Sequence, residues 1–153
     1  MTTRSFSQDF KVGTSAEIRN KEIFEKAFQV TLNRTPHGHR FDYEGDDILI
    51  ELKKRNNGKT TYPTTMIPTS KCTFADTQTK DCIFAFEFND GSIWYITYDK
   101  DLFDTFVRKD FQRPDRVDHV DKEQSYTYIP VILLECIRKP VHHDSPISRI
   151  PLF

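Results

Sequence analysis

The stretch Cys-Ile-Phe-Ala-Phe-Glu-Phe at residues 82–88 limits the possible folds more than any other part of the chain. A strand with one wet face alternates apolar and polar residues, whereas here both alternating sets are almost wholly apolar. Such a strand belongs at the centre of a sheet that is covered on both sides. With 153 residues the chain can build that sheet and its covering layers once, and not twice. Only 37% of the residues are apolar, but 13 Phe, 6 Tyr and 1 Trp each bury a large area, which sets the sequence apart from a disordered chain. One domain over residues 1–139 is expected, followed by a tail, 140–153, that carries three prolines and little periodicity.

The flanking segments read as helix and strands. Thr14 and Glu17 have the spacing of a capping box, and Ile23, Phe24, Ala27 and Phe28 then recur at helical intervals, so a helix is expected over 14–29. Pro36 and Gly38 mark a loop over 33–40. A hairpin follows, with a short strand at 40–43, a turn at 44–47 and a longer strand at 48–54. Residues 60–79 are rich in Thr and Pro and read as a loop with one short helix at 70–79. After the central strand, Asn89-Asp90-Gly91 forms a turn into a strand at 92–98. Asp101 can cap a helix carrying Leu102, Phe103, Phe106 and Val107 on one side. Residues 108–123 are highly charged and read as loop, and 126–136 as a strand that Pro130 confines to an edge or a bulge. The sum is an α/β (α+β) chain with a mixed central sheet flanked by helices.

The hairpin carries the chemistry. On its longer strand Ile48, Ile50 and Leu52 point one way and Leu49, Glu51 and Lys53 the other. A carboxylate and an ammonium therefore stand side by side next to the short strand that bears Asp42. Downstream, residues 52–80 hold six basic residues (Lys53, Lys54, Arg55, Lys59, Lys71, Lys80) against the single acid Asp76. A chain of net charge −1 thus has one basic segment, flanking the carboxylates.

The order Asp42-x8-Glu51-Leu52-Lys53, preceded by Gly13-x-x-x-Glu17 on a helix, resembles the signature of the PD-(D/E)XK nuclease superfamily, whose fold is the restriction-endonuclease-like core. The likeness runs from about residue 13 to 98, with Phe41 where the pattern has proline. Tyr62–Thr65 and Ser70-Lys71 resemble, more faintly, blocks in small nucleases of large DNA viruses and phages. The resemblance implies a Mg2+-dependent hydrolase of DNA phosphodiesters, with Mn2+ able to substitute. It implies Asp42 and Glu51 as metal ligands with the Leu52 carbonyl, Lys53 beside the attacking water, and Glu17 as a helper. Such an ion suits the task, because it takes one or two carboxylates and generates hydroxide near neutral pH. Lys54, Arg55, Lys59, Lys71 and Tyr62 are the residues expected to meet phosphates.

Blander readings stand beside these. Glu17 is also explained by the cap of Thr14, and Glu51 with Lys53 by an ordinary surface ion pair. Asp46 and Asp47 read as turn residues, with Asp47 a rival to Asp42 for the metal. His37 and His39 read as loop, His119 and the 142–143 pair as surface, and Phe84, Phe86 and Phe88 as core; Trp94 and Tyr95 are undecided. Cys72, Cys82 and Cys136 are too scattered for a disulfide framework or a zinc site. Neither a secretion signal nor an apolar run of about 18 residues is present, so a soluble intracellular protein without membrane contact is expected. A module that keeps the fold but does not cut, an RNA-cutting nuclease, and a homodimer joined through the tail all remain open.

Overall fold

The computed structural model describes residues 18–111 and 124–141. Helix α1 covers residues 18–28. Asn20, Phe24 and Phe28 lie one above the other at four-residue spacing and face inward, while Ala27, expected on that face, is exposed. The helix stops at Gln29, whose φ of 54° is left-handed. The Val30 amide then donates to the Glu25 carbonyl at 3.1 Å, closing the last turn. Thr14 and Glu17 lie outside the described residues.

Strands β1 (Asn33–Arg34), β2 (Tyr43–Glu44), β3 (Ile48–Lys54) and β4 (Thr64–Pro68) come next, then α2 (Thr69–Asp76), β5 (Asp81–Glu87), β6 (Ile93–Thr97) and α3 (Lys100–Phe103). The described chain finishes with β7 (Val107–Phe111), β8 (Gln124–Pro130), a 3-10 turn (Val131–Leu133) and β9 (Glu135–Arg138). Six strands form a mixed sheet in the order β1-β2-β3-β5-β6-β9, and three form a second sheet in the order β4-β8-β7. Among the described strands of the large sheet only β3 and β5 run parallel, with Glu51 opposite Phe84. A parallel pair needs a crossover, and here β4 and α2 supply it.

The central strand behaves as its composition requires. Cys82, Phe84, Phe86 and Phe88 enter one core with Leu49, Ile67, Cys72, Phe103 and Ile129. Ile83 and Ala85 enter the other, with Phe24, Tyr43, Ile48 and Ile50. Helix α1 therefore covers one face of the large sheet, while α2, α3 and the small sheet cover the other. Tyr95 packs on the α1 side and Trp94 on the other, so both undecided aromatics are partly buried wall residues. All three cysteines are free thiols.

Several expectations need correction. The stretch read as a Thr/Pro loop contains β4, whose Thr65 and Ile67 are buried against β8 in antiparallel register. The charged stretch after residue 107 begins with β7, an exposed edge strand, where charge is compatible with pairing on one side only. Asp42 precedes β2 instead of lying within it. The cap of α3 is Asp99, not Asp101: its side chain accepts from the Asp101 and Leu102 amides at 3.0 and 3.4 Å. Phe103 and Phe106 are buried there, but Leu102 and Val107 are exposed. Pro130 ends β8 at the middle of the small sheet, and the chain then changes sheets to form β9 on the edge of the large one.

Residues 140–141 return to the β5–β6 turn, where the Val141 amide donates to the Asp90 carbonyl at 2.8 Å. The rest of the tail, for which a homodimer contact is left open, lies outside the described residues. In that turn Gly91 has φ 82° and a Cβ there would meet Val141 at 3.0 Å. Gly91→Ala should therefore cost roughly 1–2 kcal/mol, from left-handed strain plus crowding. Urea unfolding of the two proteins measures it, and equal midpoints would refute the account.

Candidate active site

The site is built on β3 from its middle onward. Strand periodicity sends Leu49, Glu51, Lys53 and Arg55 to the face covered by α2 and the small sheet. Leu49 joins the core there, and Glu51 follows it into nearly complete burial, with 4% of its surface exposed. A carboxylate so placed needs cationic partners. Among the described residues it has two: Lys53 Nζ at 3.0 Å and Lys71 Nζ at 3.4 Å, both on Oε2. Lys53 comes from the same strand, and Lys71 reaches over from α2. Lys71 also donates to the Arg40 carbonyl and sits 5.9 Å from the centroid of the Phe41 ring.

Asp42 arrives from the other side. Its amide donates to the Ile50 carbonyl at 2.9 Å, continuing the β2–β3 ladder by one bond. Beyond that point the backbone turns away, and the Asp42 carboxylate replaces it by accepting from the Leu52 amide at 2.8 Å. In an extended strand the amide and carbonyl of one residue leave on the same side, so the Leu52 carbonyl faces this edge as well. The neighbouring backbone is pinned too: Thr35 donates through its hydroxyl to the Phe41 carbonyl and through its amide to the Asp42 carbonyl, at 3.0 Å for the amide. His39 Nδ1 accepts from the Phe41 amide at 3.0 Å, which makes it part of the loop's own bonding.

The electrostatics show how near the two acids are. Burial above all, then the Glu51 charge and a hydrogen bond with Glu51, together raise the Asp42 carboxyl to a pKa of about 6 against the opposing Leu52 amide and Lys53 charge. Asp42, Glu51, Lys53 and the Leu52 backbone are thus brought together, with Lys71 as a fifth member. Asp46 and Asp47 stay exposed in the turn, about 13 Å of strand from Glu51 for Asp47. Among the described residues no three Asp, Glu, His or Cys side chains form a metal-binding group. Two hard carboxylates and a carbonyl at one strand edge are a donor set that fits Mg2+, which keeps most of its ligands as water and phosphate. Glu17 lies outside the described residues.

The residues expected to meet phosphates separate. Arg55 is turned inward, donating from Nε to Thr65 Oγ1 at 3.1 Å and from its guanidinium to the Met66 carbonyl, with the Phe86 ring centroid 5.4 Å away. It ties the two sheets together. Lys59 lies 4.2 Å over the Trp94 ring. Lys54 and the exposed Tyr62 line a cavity of about 510 Å³ with Arg55, Asn57, Thr64 and Tyr128. The Glu51–Lys71 pair could not be found from spacing, because twenty residues and a crossover separate its members; only the topology joins them.

A proton held more tightly in the folded state has a definite signature in stability. Asp42 contributes in full below about pH 3.8, and that contribution is lost as pH rises through about 6. Without divalent cations, the parent protein should lose on the order of 2 kcal/mol relative to Asp42→Asn between pH 4 and 7. Parallel urea-unfolding curves across that range would show that Asp42 does not carry a raised pKa.

Residues 9–137 match the family described as "Phage putative PDDEXK endonuclease". No curated protein matches the chain. The mixed sheet with its second sheet and few helices is consistent with a restriction-endonuclease-like core. With most of its length matched, the chain belongs to this phage PDDEXK endonuclease family and so to the PD-(D/E)XK nuclease superfamily.

Proposed function

We propose that the protein is a Mg2+-dependent endonuclease that hydrolyses phosphodiester bonds of DNA, with Mn2+ able to replace Mg2+. The observation that carries this reading is the meeting of Asp42, Glu51 and Lys53 at one strand edge, where Glu51 holds Lys53 at 3.0 Å and raises the proton affinity of Asp42. Asp42, Glu51 and the Leu52 carbonyl would hold the ion. When bound, Mg2+ supplies hydroxide near neutral pH and neutralises charge on the scissile phosphate.

The chain's own groups do the rest. Lys53 is about one-third exposed, so its amine stands at the boundary between the buried carboxylate and the solvent from which water is drawn. There it orients the attacking water and stabilises negative charge that grows on the phosphate oxygens. Asp42 must be ionised to bind the cation, so its raised pKa sets a lower pH limit to activity. Lys54 and Tyr62, which line a common cavity, would hold the strand beside the cut. Arg55 acts indirectly, by fixing β4, the strand that follows the loop bearing Tyr62.

The test is cleavage of a labelled duplex with Mg2+, run beside single-stranded DNA and RNA. Glu51→Gln and Lys53→Met should each lower the cleavage rate by roughly 100-fold or more. Mn2+ should raise the melting temperature of the parent protein and not that of Glu51→Gln. Undiminished cutting by both variants, or cutting in the presence of a chelator, would refute the assignment.

A further inference from the structure

Lys71 has no part in the reaction just proposed, yet it is the better-buried of the two lysines on Glu51, with 20% of its side chain exposed against 32% for Lys53. Its position is set from outside the hairpin. Helix α2 begins at Thr69, whose hydroxyl bonds Ser125 Oγ at 2.8 Å and Thr127 Oγ1 at 2.9 Å on β8. The amine itself is held by the Arg40 carbonyl, two residues before Asp42. One carboxylate oxygen therefore has two ammonium groups within 3.4 Å. A single such group would already compensate the charge. The second matches the charge of Asp42, so that two carboxylates and two ammonium groups balance, and any divalent ion approaching Asp42 and Glu51 is repelled by both amines.

We propose that Lys71 is a positioning residue that competes with the divalent cation for Glu51: it stands in for the ion in the metal-free protein and thereby keeps metal affinity low. This rests on the metal-dependent reading above. The stand-in has a structural purpose, because a nearly buried Glu51 beside Asp42 would otherwise depend on Lys53 alone until metal arrives. It also has a consequence for the substrate. A DNA phosphate brings negative charge to the same place, so it offsets the repulsion by Lys71 and should raise metal affinity.

The experiment compares the parent with Lys71→Gln, whose amide can still donate to the Arg40 carbonyl, and with Lys71→Met, which cannot. Mn2+ binding to the metal-free proteins is measured by titration calorimetry without DNA, and melting is measured without metal. Removal of the charge should lower the metal-free melting temperature and tighten Mn2+ binding by roughly tenfold, as expected for one unit charge about 5 Å away in a partly screened site. The opposite signs are the signature. A role confined to packing would lower the melting temperature and leave metal affinity the same or weaker, and that result in Lys71→Gln overturns the proposal. Lys71→Arg should behave as the parent. If the parent binds no Mn2+ even at millimolar concentration, the metal-dependent reading itself fails, a result distinct from an unchanged affinity in the variant.

Discussion

A carboxylate 4% exposed in the middle of a core strand is the constraint around which this molecule is arranged. Burying an ion costs several kcal/mol unless it is paired and bonded, so Glu51 dictates what must surround it. One cation comes from the same strand, two residues on. The other comes from α2, and α2 is where it is because β3 and β5 run parallel and their connection must cross over one face of the sheet. The topology that lets the apolar strand β5 sit at the centre thus also delivers the second amine. Fold and site are joined at this point, since the crossover that completes the parallel pair is also the segment that carries Lys71 to Glu51.

What could be read from the sequence follows from how local each signal is. The strand over Ile48–Lys54 and the central strand were legible because period-two patterning and apolar runs are properties of a few consecutive residues. The nearness of Asp42 to Glu51 was legible too, since a short turn fixes the antiparallel register that sets Tyr43 opposite Ile50. Strands β4 and β7 were not. Each pairs with β8, and for β4 the partners are some sixty residues away, so nothing local distinguishes Thr64–Pro68 from a loop. Pro130 misled in a related way: a proline bars the middle of a paired strand, but at its last residue it costs nothing and marks where the chain changes sheets. Arg55 was a different kind of miss. The alternation that sends Glu51 and Lys53 inward sends Arg55 inward as well, and its place in a basic run obscured that.

The basic segment also changes meaning once its partners are known. Of the six basic residues over 52–80, Lys53 and Lys71 are on Glu51, Arg55 is on Thr65 and Met66, Lys59 is on Trp94 and Lys80 is on Glu44 at 2.6 Å. Count and sign in the sequence suggested an open cationic surface. In the folded chain most of that charge is spent on holding the molecule together, and Lys54 is left at the cavity rim with Tyr62 as the more accessible group.

This spending bears on how a nearly neutral nuclease would attract a polyanion. With Glu51 neutralised by lysines, the metal-free site offers little field to a phosphate. On the proposed reading, a divalent ion on Asp42 and Glu51 adds two positive charges and takes over part of the work of Lys53 and Lys71, so both amines become available to the substrate. Metal and DNA would then each raise affinity for the other by the same factor, because coupling between two ligands is reciprocal. The pH dependence enters through the same door. On the same reading Asp42, whose pKa is raised to about 6, would have to lose its proton before the ion binds, so the coupling would weaken on the acid side where the carboxyl is still protonated. On that reading DNA binding would follow from metal loading and would require no standing basic surface.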